Sequence, residues 1–486
     1  MKTIGNKKIL FAIVMISCSI TARSQQQSDL LMHYLEIAAK NNPTVMQKFS
    51  EYQAALQKVP QAGSLSDPEV SIGFFLKPME VLSGNQVAEI RFMQMFPWFG
   101  VLKSAKDEMS LMANAKYESF RDAKLQTFYD VQRIWYELYK VKQNIHISEK
   151  NIDILRAVER LSLVKYKAPP AGGGSPSTPK SVQGGSPQSA SSGSSGMQGS
   201  GGGSGSSMGA GAAPSSSPMQ SSPMGGQAAG SGLSDLYRIQ IEIGELENSI
   251  DLLKNQQVTI VARFNTTLNR SVRMPLMLPD TLYAEFINPQ LLQVTDSLFA
   301  SNPMLGMLGY EQKSLEARKK MVTRMGYPMV GFGVNYTVIS KSTMSTSPMN
   351  GKDMVMPMIT VTLPIYRKKY KAMQAEAALM KTATEQNYQA TANALQAEYY
   401  EAVQLYQDAR RRMNLYAAQG QLTKKTLDIM LRSFAASGTE LTDILRVRQQ
   451  LLDYEIKQVD AVVDNNTAVA WLNRLMAVTQ NHQTNQ

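Results

Sequence analysis

The sequence predicts a mainly α protein that carries a pair of β-hairpins and is built as two similar halves. Three observations predict it. The first is an internal repeat: Asn42-Pro43 recurs as Asn302-Pro303, and Pro68-Glu69-Val70 as Pro328-Met329-Val330, both at one offset (303 − 43 = 260). The second is strict period-two alternation in two stretches, each just after the repeated Pro. The third is a pair of very long segments free of helix breakers. Val101 to Lys167 holds neither proline nor glycine, and Tyr366 to Ser433 holds no proline and only Gly420. A repeat unit close to half the chain is far longer than a solenoid repeat, so each half is a substantial structure lying beside the other.

Residues 1–24 read as a secretory signal peptide. Lys2, Lys7 and Lys8 precede the apolar run Ile9–Ile16, and Ala22-Arg23-Ser24 places small residues at the cleavage position. The alternative is a lipoprotein signal with Cys18 as the lipidated first residue, which Ser17 fits and Met15 fits poorly. Cys18 is the one cysteine. The exported chain therefore has no disulfide framework and rests on packing and oligomerisation.

The first repeat is placed at 25–269. Asn42 suits an N-cap and Pro43 the first helical turn, where a missing N–H is no loss. A hairpin follows at 69–96, with Val70, Ile72, Phe74 and Leu76 on one face and Glu89 and Arg91 on the polar face. The helix predicted over 101–167 would be about 100 Å long, and its Val131, Ile134, Leu138, Val141 and Ile145 step by three and four, as in a coiled coil. Residues 168–232 are Gly, Ser and Pro with a single charge, Lys180, too poor in apolar surface to order themselves; this insert is expected to be disordered. A return helix spans 233–269, and a connector spans 270–287. The second repeat, 288–477, has a hairpin at 329–363, a long helix at 366–433 and a return helix at 439–477, followed by a tail at 478–486. In its hairpin Val330, Phe332, Val334, Tyr336 and Val338 alternate with Gly331, Gly333, Asn335 and Thr337, and Val355, Ile359, Val361 and Leu363 stand opposite Met358, Thr360 and Thr362.

Several function classes are excluded by what is missing. His33, His146 and His482 are isolated, with no metal-ligand spacing, and neither a nucleophile elbow nor a phosphate-binding glycine loop occurs. No enzyme activity and no cofactor are expected. The net charge of +11 is spread along helices without interleaved aromatics, so nucleic acid is not an expected partner. No other run reaches the ~18 apolar residues of a membrane helix. Strands of about ten alternating residues suit a membrane β-barrel, apolar toward lipid and polar toward the lumen. Two hairpins give only four strands, whereas single-chain barrels begin at about eight. Three chains would supply twelve.

In this order and duplication the chain resembles the TolC-like outer membrane efflux proteins. The carriers are the Asn-Pro helix starts, the hairpins and the exits Phe96-Pro97-Trp98-Phe99-Gly100 and Leu363-Pro364-Ile365-Tyr366. They also include the turn Phe434-Ala435-Ala436-Ser437-Gly438-Thr439 with Leu441-Thr442-Asp443-Ile444-Leu445 behind it. The resemblance covers nearly all of Ser28 to Ala477. It implies a homotrimer whose twelve-strand β-barrel sits in outer membrane lipid and continues into a periplasmic α-helical barrel. It implies a passive exit duct of a tripartite efflux system, opened by a periplasmic adaptor and an inner-membrane RND-type pump. Adaptor docking falls at the tip, on Leu233, Asp235, Ser437, Gly438, Thr439 and Asp443. Family members narrow the pore with acidic side chains near this turn. Asp428, six residues before Phe434, matches the first of them, while Leu431 departs from the second.

The insert carries Met197, Met208, Met219 and Met224 at the first-half tip. Thioethers are soft ligands that select Cu(I), and the heavy-metal (CusC-like) branch of the family resembles this chain in overall pattern. The insert either gathers Cu(I) or Ag(I) at the tunnel entrance or is a tolerated flexible loop in a chain of 30 methionines, and the cargo is Cu(I), Ag(I) or drugs. The alternatives are an envelope-spanning coiled-coil structural protein and the outer-membrane duct of a type I protein secretion system.

Overall fold

The computed structural model describes residues 30–81, 83–167, 231–287, 299, 301–435 and 440–477. Helix α1 covers residues 30–41, followed by α2 (Pro43–Gly63), β1 (Glu69–Val81), β2 (Gly84–Phe96), α3 (Val101–Lys167) and α4 (Ser231–Thr267). The second half contributes α5 (Pro303–Met325), β3 (Met329–Ser340), β4 (Met354–Thr362), α6 (Arg367–Ala435) and α7 (Leu441–Leu475). Helix α4 begins at Ser231, inside the segment 168–232 expected to be disordered. Leu236 and Ile239 are buried, and Ile239 packs with Leu155 and Val158 of α3, so the packed face of α4 begins in its second turn.

The repeated Asn-Pro pairs do the same work in both halves. Asn42 Oδ1 accepts from the backbone N–H of Thr44 and Val45, and its Nδ2 donates to the Thr267 carbonyl at the end of α4 (2.8 Å). Asn302 Oδ1 accepts from the Met304 N–H, and its Nδ2 donates to the Leu475 carbonyl at the end of α7 (3.0 Å). Each asparagine thus caps a short helix and ties it to the end of the return helix. Orphan donors and orphan carbonyls are satisfied by one side chain.

Helices α3 and α6, of 67 and 69 residues, are the two continuous rods. Near the sheet, α3 packs on α2 through Phe49–Phe120 and Tyr52–Tyr117, and on α5 through the hydrogen bond from Arg324 to Ser104. Farther along it pairs with α4 through Arg156–Glu247 and with α7 through Lys140–Asp460. Helix α6 follows the same plan with α5 and α7. Mid-length, Val131, Ile134, Trp135, Leu138 and Val141 of α3 are buried with Leu35 and Ala38 of α1 and Phe264 of α4. Full burial of such side chains contributes about 1.5–3 kcal/mol each.

The four strands form one antiparallel sheet in the order β1-β2-β3-β4, the two hairpins being joined by β2 and β3. Among the described residues, the outer edges of β1 and β4 have no strand partner.

Candidate functional site

The sheet is inside out. On β3, Phe332, Val334 and Tyr336 are exposed, whereas Gly331, Gly333, Asn335 and Thr337 on the other face are buried. The same apolar face continues through Val70, Ile72 and Phe74 of β1, Ile90 and Phe92 of β2, and Val355, Ile359 and Val361 of β4, all exposed. A sheet in water buries its apolar face, so this orientation needs an apolar surrounding. The opposite face is covered by its own side chains. Over Gly331 a single point, where a β-carbon would stand, lies 2.5 Å from the Met95 sulfur and 3.3 Å from the Met93 sulfur. Side chains crowd together on the small and polar face and spread apart on the apolar one, as they do when a sheet curls, which makes the small and polar face the concave one.

Register builds that concave face in rows. Glu89, Thr337 and Met354 form one row, Arg91, Asn335 and Met356 the next. Met93, Gly333 and Met358 form the third, and Met95, Gly331 and Thr360 the fourth. Glu89 and Arg91 neutralise one another in an ion pair of 2.8 Å. Asn335 is 6% exposed, and its Oδ1 has no hydrogen-bond partner among the described residues. At the helical end of the sheet, Trp98 stacks on Tyr327 with ring centres 5.4 Å apart, and Phe99 and Tyr366 stand almost wholly exposed. Such aromatics form the girdles at membrane interfaces. Trp98 and Phe99, with Leu65, Phe96, Pro97 and Pro328, line an apolar cleft of about 490 Å³. Gly100 (φ +83°) turns the chain into α3, and a β-carbon there would lie 2.4 Å from Arg324 Nη1, which donates to the Gly100 carbonyl.

At the far end, Leu155 and Val158 of α3, Ile239 of α4, Leu427 and Phe434 of α6, and Leu441, Ile444 and Leu445 of α7 share one core, which binds both helical pairs into a single tip. Arg238 of α4 donates to Thr442 Oγ1 of α7 (3.0 Å), and Arg448 of α7 pairs with Glu242 of α4. Arg448 is buried, and that desolvation pushes its guanidinium pKa down against the pull of Glu242.

The residues expected at the tip are placed as follows. Asp428 is exposed on α6, beside the buried Leu427. Leu233 is exposed and Asp235 half-buried on the first turns of α4, and Asp443 pairs with Arg446 in the first turn of α7 (3.4 Å). Ser437, Gly438 and Thr439 lie outside the described residues, as do Met197, Met208, Met219 and Met224. The methionines of the concave face, apart from Met358, were not singled out by sequence reasoning. The signal was present, since Met93 and Met95 share the parity of Glu89 and Arg91, but the strand register was needed to align β2, β3 and β4 in one row at Gly333.

Between sheet and tip, the connector at 270–287 is strapped to the helices by side chain to backbone bonds. The backbone N–H groups of Met277, Leu282 and Ile287 donate to the hydroxyls of Tyr34, Tyr139 and Tyr406. Asn465 and Asn466, both buried, donate to the carbonyls of Glu285 and Tyr283. Tyr136 donates to Glu285 Oε1 (3.1 Å), and burial raises the pKa of that carboxyl despite the bond.

No protein-family model and no curated protein sequence matches the chain. Solved structures do. The outer membrane protein VceC from the bacterial pathogen Vibrio cholerae superposes with a TM-score of 0.66 at 11% identity, over 93% of this chain and 97% of its own. The open-state MtrE outer membrane channel of Neisseria gonorrhoeae gives 0.65 at 11%, over 92% and 88%. CusC gives 0.65 at 10%, over 92% of each chain, so the CusC branch is not singled out. Sheet order, paired long helices and tip thus have matches along almost the whole chain: it has the fold of the TolC-like outer-membrane channels.

Proposed function

We propose that this protein is the outer-membrane exit duct of a tripartite efflux system. The observation that carries the reading is the inverted sheet: an apolar convex face that only lipid can solvate, and a concave face of small, polar and thioether side chains. Four strands with free edges at β1 and β4 cannot close in lipid, where each unpaired backbone group costs several kcal/mol. Three copies close a barrel of twelve strands, β4 of one against β1 of the next. The helices then extend into the periplasm and end at the shared tip core, where Leu233, Asp235 and Asp443, with the turn at Ser437–Thr439, present the surface for an adaptor and a pump.

In this assembly Asp428 of each copy faces the narrowing pore, and a ring of three carboxylates would favour cations over anions. The insert methionines at 197, 208, 219 and 224 gather Cu(I) or Ag(I) at the entrance. Transport energy comes from the partner pump, so the duct is passive.

The test is assembly and conductance. Purified protein should run as a heat-modifiable trimer from outer-membrane fractions and conduct ions in planar bilayers, with cation selectivity reduced in Asp428→Asn. A soluble periplasmic monomer would end the reading and favour the structural alternative. Wild-type copper resistance in a strain lacking 168–230 would sink the metal role of the insert alone.

A further inference from the structure

The unassigned feature is the chemistry of the concave face. Every methionine of β2, β3 and β4, that is Met93, Met95, Met329, Met354, Met356 and Met358, falls on that face and none on the convex one. Hydrophobicity does not explain this placement. An unbranched apolar side chain would be at home toward lipid, yet the convex positions are mostly Val, Ile, Phe and Tyr, with Ala88, Gln94 and Pro357 beside them, and the methionines stand among Gly, Thr, Asn, Glu and Arg. Among the described residues no other strand layer is stacked over them, since the four strands form a single sheet.

Geometry concentrates them further. Gly333 lies in register between Met93 and Met358, and Gly331 faces Met95, so two positions that could hold side chains are empty and the neighbouring thioethers occupy the space. Where a β-carbon on Gly331 would stand, the Met95 sulfur is 2.5 Å and the Met93 sulfur 3.3 Å away, so the two thioethers are neighbours in the space the glycine leaves. Beside them, in the adjacent row, is the buried Asn335 Oδ1, which has no hydrogen-bond partner among the described residues. Glu89 cancels the charge of Arg91, so the local field does not repel a cation.

We propose that Met93, Met95 and Met358, backed by Asn335, form a binding station for a soft monovalent cation, Cu(I) or Ag(I), on the inner wall of the barrel. Thioether sulfur is a soft, neutral donor that selects such ions over Zn(II) and over hard cations. Neutral ligands also hold the ion without the charge of thiolates, which suits passage rather than storage. The station rests on the duct reading for its place in a lumen, but its ligands belong to one chain.

The probe is silver nitrate, added to the full-length protein in detergent, with silver retained per chain after gel filtration measured by elemental mass spectrometry. Wild type should retain one more silver per chain than Met93→Leu/Met95→Leu/Met358→Leu, a volume-conserving set. Replacing Met197, Met208, Met219 and Met224 by Leu should leave that equivalent in place, and zinc should give no difference. Equal silver retention by wild type and the strand variant overturns the station. Should the triple variant fail to assemble, Met358→Leu alone must weaken silver retention, and unchanged retention there counts equally against it. Trimer state and conductance are read on the same samples. A conducting trimer with unchanged silver rejects the station and leaves the duct, and silver lost with the strand methionines in a non-conducting monomer does the reverse.

Discussion

Asn302 carries two jobs in one side chain, and removing it loses both. Asn302→Ala deletes an N-cap and strips the Leu475 carbonyl of its donor at a buried site. The expected cost is about 2 kcal/mol, at the upper end for caps, read as a lowered denaturation midpoint; a change below about 0.5 kcal/mol, the range of surface substitutions, would show that the tie is idle. Its partner helix ends on a strained residue. Ala477 has φ +51°, the left-handed region entered by Asn269 at the matching place in the first half. Ala477→Gly should stabilise by about 1 kcal/mol, because glycine adopts that region without a β-carbon clash. Asn42 and Asn302 were visible in the sequence as a repeat, and residues 269 and 477 as the ends predicted for the two return helices. That Asn302 reaches Leu475, 173 positions away, was not, since nothing local encodes which carbonyl a cap's second arm will meet.

At the scale of elements, the connector is where burial and charge conflict. Burial raises the Glu285 pKa in the folded chain above its unfolded value of about 4.3. The folded state therefore binds this proton more tightly than the unfolded one. Stability tied to Glu285 is greatest at low pH, below the unfolded pKa, and is lost as pH rises through the folded pKa. Glu285→Gln keeps an acceptor for Tyr136 and removes the titration. The variant should melt higher than wild type at pH 8, with the gap closing toward pH 4; parallel melting curves across that range would mean the carboxyl is solvated in the fold. The long helices themselves were legible, because two segments without breakers and with a three-four apolar step can do little else. The straps that hold the connector were not. Tyr34, Tyr139 and Tyr406 read as core aromatics until the fold brings the N–H groups of Met277, Leu282 and Ile287 to their hydroxyls.

For the whole molecule, the decisive property is which sheet face meets lipid. Val334→Lys places a charge at mid-strand on the convex face, where it costs about 2–4 kcal/mol near the bilayer centre. Trimers in outer-membrane fractions should fall sharply. Thr337→Lys, on the concave face, should leave their level near wild type. Equal behaviour of the two variants would contradict the assignment of faces.

The sequence by itself determined the two-fold repeat, the helix and hairpin order and the two faces of each strand. These are encoded locally, by periodicity, by the absence of Pro and Gly, and by Asn-Pro caps. It could not say whether the apolar strand face points inward to a core or outward, because period two is the same in both cases. The tertiary structure decided that, by leaving Phe332 and Val334 bare and closing Gly331 and Gly333 beneath the sulfurs of Met93 and Met95. It also brought four helices to one tip and set Met93 of β2 and Met358 of β4 in register on either side of Gly333. Those contacts join residues far apart in the chain, and only packing selects which distant surfaces meet.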